Sequence, residues 1–142
     1  MNKEHENRKK FKYILAPDFS LYSNYPKAYQ MFNHWRKHAF SSLAQTYGVK
    51  VIPTLSWSTK DSFNWCFDGV ERGSIVSISS VGSMNMEDSK NLFIEGFLKA
   101  MEVINPVKII YFGIVPDELK VYEHLMIFKE TYTQKLRKRD MI

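Results

Sequence analysis

Short apolar runs and longer stretches of helical period alternate along the chain. Runs rich in apolar and β-branched residues occupy 11–15, 49–55, 74–80 and 107–112, and each predicts a strand. Over 26–47, 88–104 and 116–138 the apolar residues recur every three to four positions, which predicts helices. Strands separated by helices favour parallel pairing through right-handed crossovers. We therefore predict an α/β fold, a small layered domain with a mostly parallel four-stranded sheet flanked by three helices.

Residues with special backbone preferences mark the predicted ends of these elements. Pro26 suits the first turn of an amphipathic helix, and Gly48 is predicted to follow that helix in a left-handed conformation. The second helix is predicted to end at Asn105, before a proline. The polar and aromatic segment 56–69 is predicted to be a loop, with room for a short strand at Trp65–Phe67. The apolar stripe of the first helix is Ala28, Phe32, Trp35, Ala39 and Leu43.

No linker or internal repeat divides the 142 residues, so a single domain is predicted over 1–142. Its polar residues 1–10 are expected to form a flexible N-terminus, and 116–138 a C-terminal helix with a basic end. The single cysteine, Cys66, cannot form an internal disulfide, and no apolar run approaches the roughly 20 residues that span a bilayer. A cytoplasmic protein without membrane insertion is the expectation.

The net charge of +5 lies at the two ends of the chain. Residues 1–12 and 129–142 each carry a net +3, and the residues between them carry −1. A nucleic-acid groove lined by the core is therefore not implied. Two basic ends that lie together would still form a phosphate-binding patch, whose cations would be Lys9, Lys10, Lys135, Arg137, Lys138 and Arg139.

Polar residues follow the predicted strands, as in APDFSLY at 16–22. Ligands of open α/β sheets bind beyond the carboxyl ends of the strands, where successive loops converge. This rule predicts one ligand rim, and two residues of the first helix, three apart, are candidates to meet an anion or a carboxylate beside it. The rim candidates are Asp18, Ser20, Tyr22, Ser56, Trp57, Ser58, Ser79, Ser80, Gly82 and Gly113, and the two helix residues are Asn33 and Arg36.

Each candidate has a functional and a structural interpretation. Asp18 is a candidate general base or metal ligand, but an aspartate after a strand more often bonds turn amides. Trp57 either stacks on a ligand or belongs to the core. The turn after the third strand either binds a phosphate through its backbone amides or only precedes a helix capped by Asn85 or Asp88.

Metal and cofactor signals are weak. His34 and His38 lie on one helical face, but without a nearby glutamate they are more typical of a surface pair than of a metal site. Cys66 has no sequence-local histidine, so thiol catalysis is a minor option. We predict no metal site and no cofactor.

Several segments together resemble a known family. They are PDFSLY, GVKVIPTLSW, FDGVERGSIVSISSVG, FIEGF and NPVKIIYFG, and over about residues 12–113 they resemble the family called domain of unknown function 4417. Members of that family are typically encoded by phages and other mobile elements of bacteria. The resemblance implies a small phage or mobile-element protein in the bacterial cytoplasm, and it assigns no catalytic residues. Ser80 stands where the family usually has threonine.

Two function classes remain open. The first is a phage-type accessory protein that binds a protein or nucleic acid of the host or phage, for example to inhibit a bacterial defence system or assist replication. The aromatic share of 15% suits such a surface, and homo-oligomers are compatible with it. The second is a small enzyme or nucleotide or phosphate binder that uses the rim. No nucleophile–base pair or ligand cluster is evident in the sequence, which favours the binding protein.

Overall fold

A computed structural model describes residues 13–141, and of 132 and 133 the backbone alone. Five strands, three α-helices and two 3₁₀-helices follow one another within these residues. The 3₁₀-helices span Lys60–Asn64 and Asp117–Leu125. The other elements are β1 Tyr13–Leu15, α1 Lys27–Thr46, β2 Lys50–Ile52, β3 Ile75–Ser79, α2 Glu87–Ile104, β4 Lys108–Phe112, β5 Met126–Lys129 and α3 Tyr132–Asp140.

All described strand pairs are parallel, which confirms the α/β class. β1 pairs with β2, and β4 lies between β3 and β5, so the strands form two sheets. The prediction of a single four-stranded sheet is wrong. Pro53 ends β2 because it has no amide proton to donate. Its carbonyl still accepts a 2.8 Å hydrogen bond from the Ser77 amide, and an isolated bridge between Thr54 and Ser77 joins the two sheets at this point.

The predicted helix over 116–138 is also wrong. A 3₁₀-helix follows Pro116, and the chain then forms β5 before it enters α3 at Tyr132. Residues 126–129 read MIFK, and they find a parallel partner in the exposed edge of β4, with Met126 opposite Ile109. A ladder with a neighbouring strand outweighs the weak local helical period of this segment.

The predicted helix ends are partly confirmed. Gly48 follows α1 with a φ of 76°, and α2 ends at Asn105, which has a φ of 47°. Capping of α2 by Asn85 or Asp88 is wrong, because the residue that precedes α2 is Met86 and no side chain caps it. Trp65–Phe67 lies in a turn and not in a strand.

The core lies between the central sheet and α2. Alternate residues of β3 and β4 point to α2 and are fully buried, as are the residues of the inner face of α2 near its middle. These buried residues are Val76, Ile78, Ile109, Tyr111, Phe97 and Ala100. This packing holds the carboxyl ends of β3 and β4 beside the start of α2.

Helix α1 has the predicted length, but the orientation of its faces is unusual. An amphipathic helix ordinarily packs its apolar stripe on the core. Here Gln30, Asn33 and Lys37 are the buried residues, while Phe32 and Trp35 of the apolar stripe are 48% and 62% exposed. Polar contacts to loops and strand ends hold α1 in place, and its apolar side faces outward.

Candidate functional site

The carboxyl ends of the strands form a groove made of two adjoining cavities. The smaller, of about 80 Å³, is lined by Asp18, Ser56 and Ser79 among others, and the larger, of about 350 Å³, by Tyr22, Ser58 and Gly82 among others. The two cavities share Trp57, Ser83 and Phe93 in their walls. We call them together the strand-end groove. Ser83 belongs to the turn after β3, whereas Phe93 carries no strand-end signal in the sequence, because only the approach of α2 places it here.

Trp57 forms the wall between the two cavities. Its ring packs on Phe93 and Phe67, with centroid distances of 5.4 and 6.1 Å. The indole ring can occupy this position because residue 96 is a glycine, since a Cβ added there would overlap the ring. The side chain is half-buried and serves both interpretations, since it packs on the core and lines the groove.

Ser79 and Ser80 have different surroundings although they are adjacent. Ser79 lines the smaller cavity. Ser80 is 1% exposed, lines neither cavity, and donates its hydroxyl to the Ile114 carbonyl at 2.7 Å. Gly113 packs against Ser80, because a Cβ there would overlap the serine Oγ. Asp18, Trp57 and Ser80 therefore do not share one cavity; Ser80 braces the loop after β4.

The turn 81–83 uses part of its backbone internally. The amide of Ser83 donates to the Ser80 carbonyl at 3.0 Å, and that of Val81 to the Ser79 hydroxyl at 3.3 Å. Gly82, with a φ of 85°, gives the turn its left-handed residue. Two of the amides that a phosphate would require are thus already bonded.

Ser20, Asn33 and Arg36 brace the loop between β1 and α1 and do not line the groove. The Asn33 side-chain amide donates to the Ser20 carbonyl at 3.1 Å, and its oxygen accepts from Arg36 at 2.9 Å. The Arg36 guanidinium lies 4.0 Å from the Phe19 ring centroid. No ion pair joins Arg36 to Asp18 in the structure of residues 13–141.

The predicted basic patch is described in part. Lys9 and Lys10 lie outside the described residues. Lys135, Arg137, Lys138 and Arg139 are exposed on α3, where Lys138 forms an ion pair with Glu130. These C-terminal cations therefore have a solvent-exposed location that a charged ligand can reach.

An aromatic ladder on the outer side of the molecule was not foreseen as a site. It consists of Tyr22, Tyr25, Tyr29, Phe32 and Trp35, in successive ring contacts with centroid distances of 5.0, 5.1, 6.5 and 5.9 Å. The rings are between 37% and 62% exposed. Tyr22 also lines the larger cavity, so the aromatic ladder and the strand-end groove are continuous. The signal in the sequence was the aromatic spacing, which a core-facing helix shows as well.

The inner side of α1 carries a cluster of ionisable groups around Lys37. Its Nζ donates to the Thr54 carbonyl at 2.8 Å and to the Ser56 hydroxyl at 3.4 Å. Burial lowers the pKa of Lys37, and the nearby carboxylate of Asp18 opposes that change. A single lysine within a helix forms no distinctive sequence pattern, so the sequence offered no indication of this cluster.

His34 and His38 belong to the same cluster, and they are not a surface pair. Their rings contact each other at 4.6 Å, and both are partly buried. Burial is the main cause that lowers the pKa of His34 to about 4, followed by the charge of Lys37. Burial and then Lys37 also lower the pKa of His38. Both rings therefore favour the neutral form at pH 7.

Cys66 is buried at 1% exposure, and burial raises the pKa of its thiol to about 12. The reactive thiolate is thus disfavoured at neutral pH. In the part of the chain that is described, no three residues among His, Cys, Asp and Glu come together as metal ligands do.

Comparison with known protein families shows to which family the chain is related. The model of the family Domain of unknown function (DUF4417) matches residues 2–131. The chain belongs to this family. The resemblance inferred from the strand-end motifs is thereby confirmed.

Two curated relatives of this DUF4417 chain come from phages. The chain is 39% identical over 99 residues to the Gene 1 protein of Mycobacterium phage L5, an alignment that covers 70% of this chain and 43% of the relative. It is 34% identical over 99 residues to the Gene 1 protein of Mycobacterium phage D29, covering 70% and 37%. The matched region thus spans about four-tenths of the length of these relatives. No solved structure matches the chain.

The helices of residues 13–141 do not include one that is both long and apolar enough to cross a bilayer. This agrees with the absence of long apolar runs in the sequence.

Proposed function

We propose that this phage-family protein acts by binding another protein through the aromatic ladder on α1. The observation that carries the proposal is the continuous exposure of five aromatic side chains, of which Tyr29, Phe32 and Trp35 lie on α1 and the other two in the segment before it. Large exposed apolar patches are uncommon on monomers and mark interaction sites. Tyrosine, tryptophan and arginine are also the residues that contribute most to binding at interfaces. The ladder therefore supports the binding protein over the enzyme.

The spacing of the outward stripe supports a helix as the occupant. Ala28, Phe32, Trp35 and Ala39 follow one another at intervals of four, three and four residues. This is the spacing of a seam between two packed helices. A helix of 20 residues such as α1 is about 30 Å long, which is sufficient for several turns of contact.

The charges of α1 support an acidic partner. Apart from Lys37, which is buried on the inner side, the formally charged residues of α1 are Lys27 and Arg36, and the helix contains no aspartate or glutamate. Two copies of α1 packed together would place cations near cations, whereas a helix with acidic flanks would complement them. The proposed partner is an amphipathic helix with acidic flanks in another protein of the phage or its host. Binding would serve to inhibit a defence protein or to assist replication.

Site-specific photo-crosslinking in bacterial cells that express the phage genes tests this proposal. A photoreactive phenylalanine analogue replaces Trp35 in one variant and Val121, which is 70% exposed outside the ladder, in the control. We expect an adduct with a different protein at position 35 and not at 121. With that protein purified, Trp35→Glu is expected to weaken binding at least tenfold, and Val121→Glu less than twofold.

Two outcomes would contradict the proposal. One is equal crosslinking at positions 35 and 121. The other is an adduct of two copies of this chain, which would identify the ladder as a homodimer interface. Neutralising the acidic flanks of the partner helix serves as the reciprocal control, and it should weaken binding by a similar factor.

We propose as a second candidate that the strand-end groove binds a small ligand. The observation in its favour is that Asp18, Trp57 and Ser79 line one cavity that adjoins a second. Asp18 is exposed and offers a carboxylate, and Trp57 offers a ring face. A thermal-shift screen of nucleotides and divalent metals against the wild type and Asp18→Asn tests it. Equal shifts in both proteins, or none in either, would count against a site that uses Asp18.

A further inference from the structure

Lys37 is a buried cation without a carboxylate partner. The residue is 3% exposed, and its ammonium group donates hydrogen bonds to a backbone carbonyl and to a serine hydroxyl. Among residues 13–141 no aspartate or glutamate lies within salt-bridge distance of it. Removing a charge from water without an opposite charge is costly, and buried charges are ordinarily paired. Burial at this location therefore favours either loss of the Lys37 proton or a compensating negative charge.

A cavity of about 100 Å³ lies against Lys37, between α1 and the ends of β1 and β2. Its polar lining consists mainly of groups that donate hydrogen bonds, and no carboxylate takes part. The polar side chains are Lys37, His38, Ser41, Ser42, Gln45 and Thr54. A divalent metal would require oxygen ligands with negative charge, which this lining lacks. The cavity suits an anion better than a cation.

His38 adds a second unsatisfied group to this wall. Its Nε2 is buried and has no hydrogen-bond partner within the described part of the chain. Gly69 packs against the imidazole, since a Cβ there would lie 3.1 Å from Cε1, so the ring has little freedom to turn away. A buried donor or acceptor left without a hydrogen-bond partner destabilises the folded state. A negatively charged ligand that accepts hydrogen bonds from both Lys37 and His38 would compensate the lysine charge and give the histidine Nε2 a partner.

We propose that this cavity binds a small oxyanion, a phosphate or a carboxylate group, held by the Lys37 ammonium and the His38 imidazole. The Ser42 hydroxyl and the Gln45 amide at the cavity wall supply further donors, whereas the Ser41 hydroxyl already donates to the Lys37 carbonyl. The volume is sufficient for an oxyanion, because a cavity of 10–15 Å³ on the same scale already holds one water molecule. This site is on the inner side of α1 and is independent of the aromatic ladder.

Binding of an oxyanion is linked to proton uptake. In the empty cavity burial lowers the pKa of Lys37 and of His38. A bound negative charge favours their protonated forms and reverses part of that change. Other groups contribute to the field. Lys37 lowers the pKa of His34 and of His38, Asp68 favours the charged forms of both histidines, and Asp18 and Cys66 favour the charged form of Lys37. Affinity is thus expected to increase as the pH falls from 8 to 6.

Isothermal titration calorimetry with inorganic phosphate and, separately, acetate tests the proposal, with chloride holding the ionic strength constant. The two anions distinguish a phosphate from a carboxylate site. Lys37→Met is expected to weaken the preferred anion at least tenfold. The matched control is Lys60→Met, because Lys60 is 74% exposed and paired with Glu95 on the surface, and it should change the affinity less than twofold. Wild-type affinity for acetate, whose own charge is constant over this range, should be several-fold tighter at pH 6 than at pH 8.

The fold of each variant is checked by circular dichroism and thermal melting. If Lys37→Met does not fold, His38→Gln, which leaves Lys37 in place, takes over as the test and is expected to weaken binding several-fold. The proposal is overturned if neither anion binds the wild type at up to 50 mM, on the order expected of a weak site. It is also overturned if a folded Lys37→Met or His38→Gln protein binds as tightly as the wild type. The crosslinking result at Trp35 is unaffected by either outcome.

Discussion

Trp57 lies so close to the backbone of α2 at Gly96 that a methyl group on Gly96 would overlap its indole ring. The contact joins the loop after β2 to the middle of the core helix. It also sets the wall between the two cavities of the strand-end groove.

Gly96→Ala is expected to destabilise the protein by about 1–3 kcal/mol, because the new methyl group displaces the Trp57 ring. In an unobstructed helix the same change would stabilise by up to about 1 kcal/mol. Chemical denaturation of Gly96→Ala and of the double variant with Trp57→Ala measures the effect. In the double variant the alanine at 96 should no longer destabilise. A destabilisation that is unchanged by Trp57→Ala would contradict the contact.

Ser80 and Ser79 are expected to differ in their contribution to stability. Ser80→Ala removes a buried hydroxyl that donates to the Ile114 carbonyl, which still accepts from Tyr111, and should cost about 0.5–1.5 kcal/mol. Ser79 is only partly buried, so Ser79→Ala should change stability by less than about 0.5 kcal/mol. Urea denaturation of the pair measures the difference. Equal effects would show that Ser80 is not the brace of the loop after β4.

Comparing alanine variants of Phe32 and Phe97 tests whether the aromatic side of α1 is exposed in solution. Phe97→Ala removes a ring that is 0% exposed and is expected to cost about 3–5 kcal/mol. Phe32 is 48% exposed on the aromatic ladder, and Phe32→Ala is expected to change the free energy of unfolding by less than about 1 kcal/mol. Denaturant titrations at the same pH compare them. A large loss for Phe32→Ala in the purified protein would mean that the ring is covered in solution.

Acid is expected to destabilise the protein through His34. Its pKa is about 4 in the folded chain and about 6.5 when unfolded, so the unfolded state binds more protons between these values. The stabilisation by neutral His34 is complete above pH 6.5 and is lost as the pH falls toward 4. His34→Gln should reduce the slope of the free energy of unfolding against pH in this window. The reduction should be smaller than the value for one full proton, about 1.4 kcal/mol per pH unit, since the ring is partly exposed.

Titration of the His34 ring by proton nuclear magnetic resonance provides the independent measurement. A midpoint near 4 is the expected result. A midpoint near 6.5 would mean that the ring is solvated and that the cluster around Lys37 is more open than the structure shows.

The α/β class, the bounds of α1 and α2, and the family could be predicted before the structure, because they depend on local period, on residues such as Gly48 and on short motifs. Asp18, Tyr22, Trp57, Ser79 and Gly82 were also predicted to lie at one rim, since parallel strands bring their carboxyl ends to the same edge. They do line the strand-end groove, although no ligand role follows from that alone.

Tertiary structure alone decided which face of α1 points inward and what residues 126–129 become. Hydrophobic period marks two faces of a helix but not which of them is covered. Here the buried side chains of Asn33 and Lys37 donate to the carbonyls of Ser20 and Thr54, while the aromatic side stays exposed. Likewise β5 exists because β4 offers an edge, a condition that no local pattern contains. Long-range hydrogen bonds settled both, and they are the interactions that a linear sequence displays least.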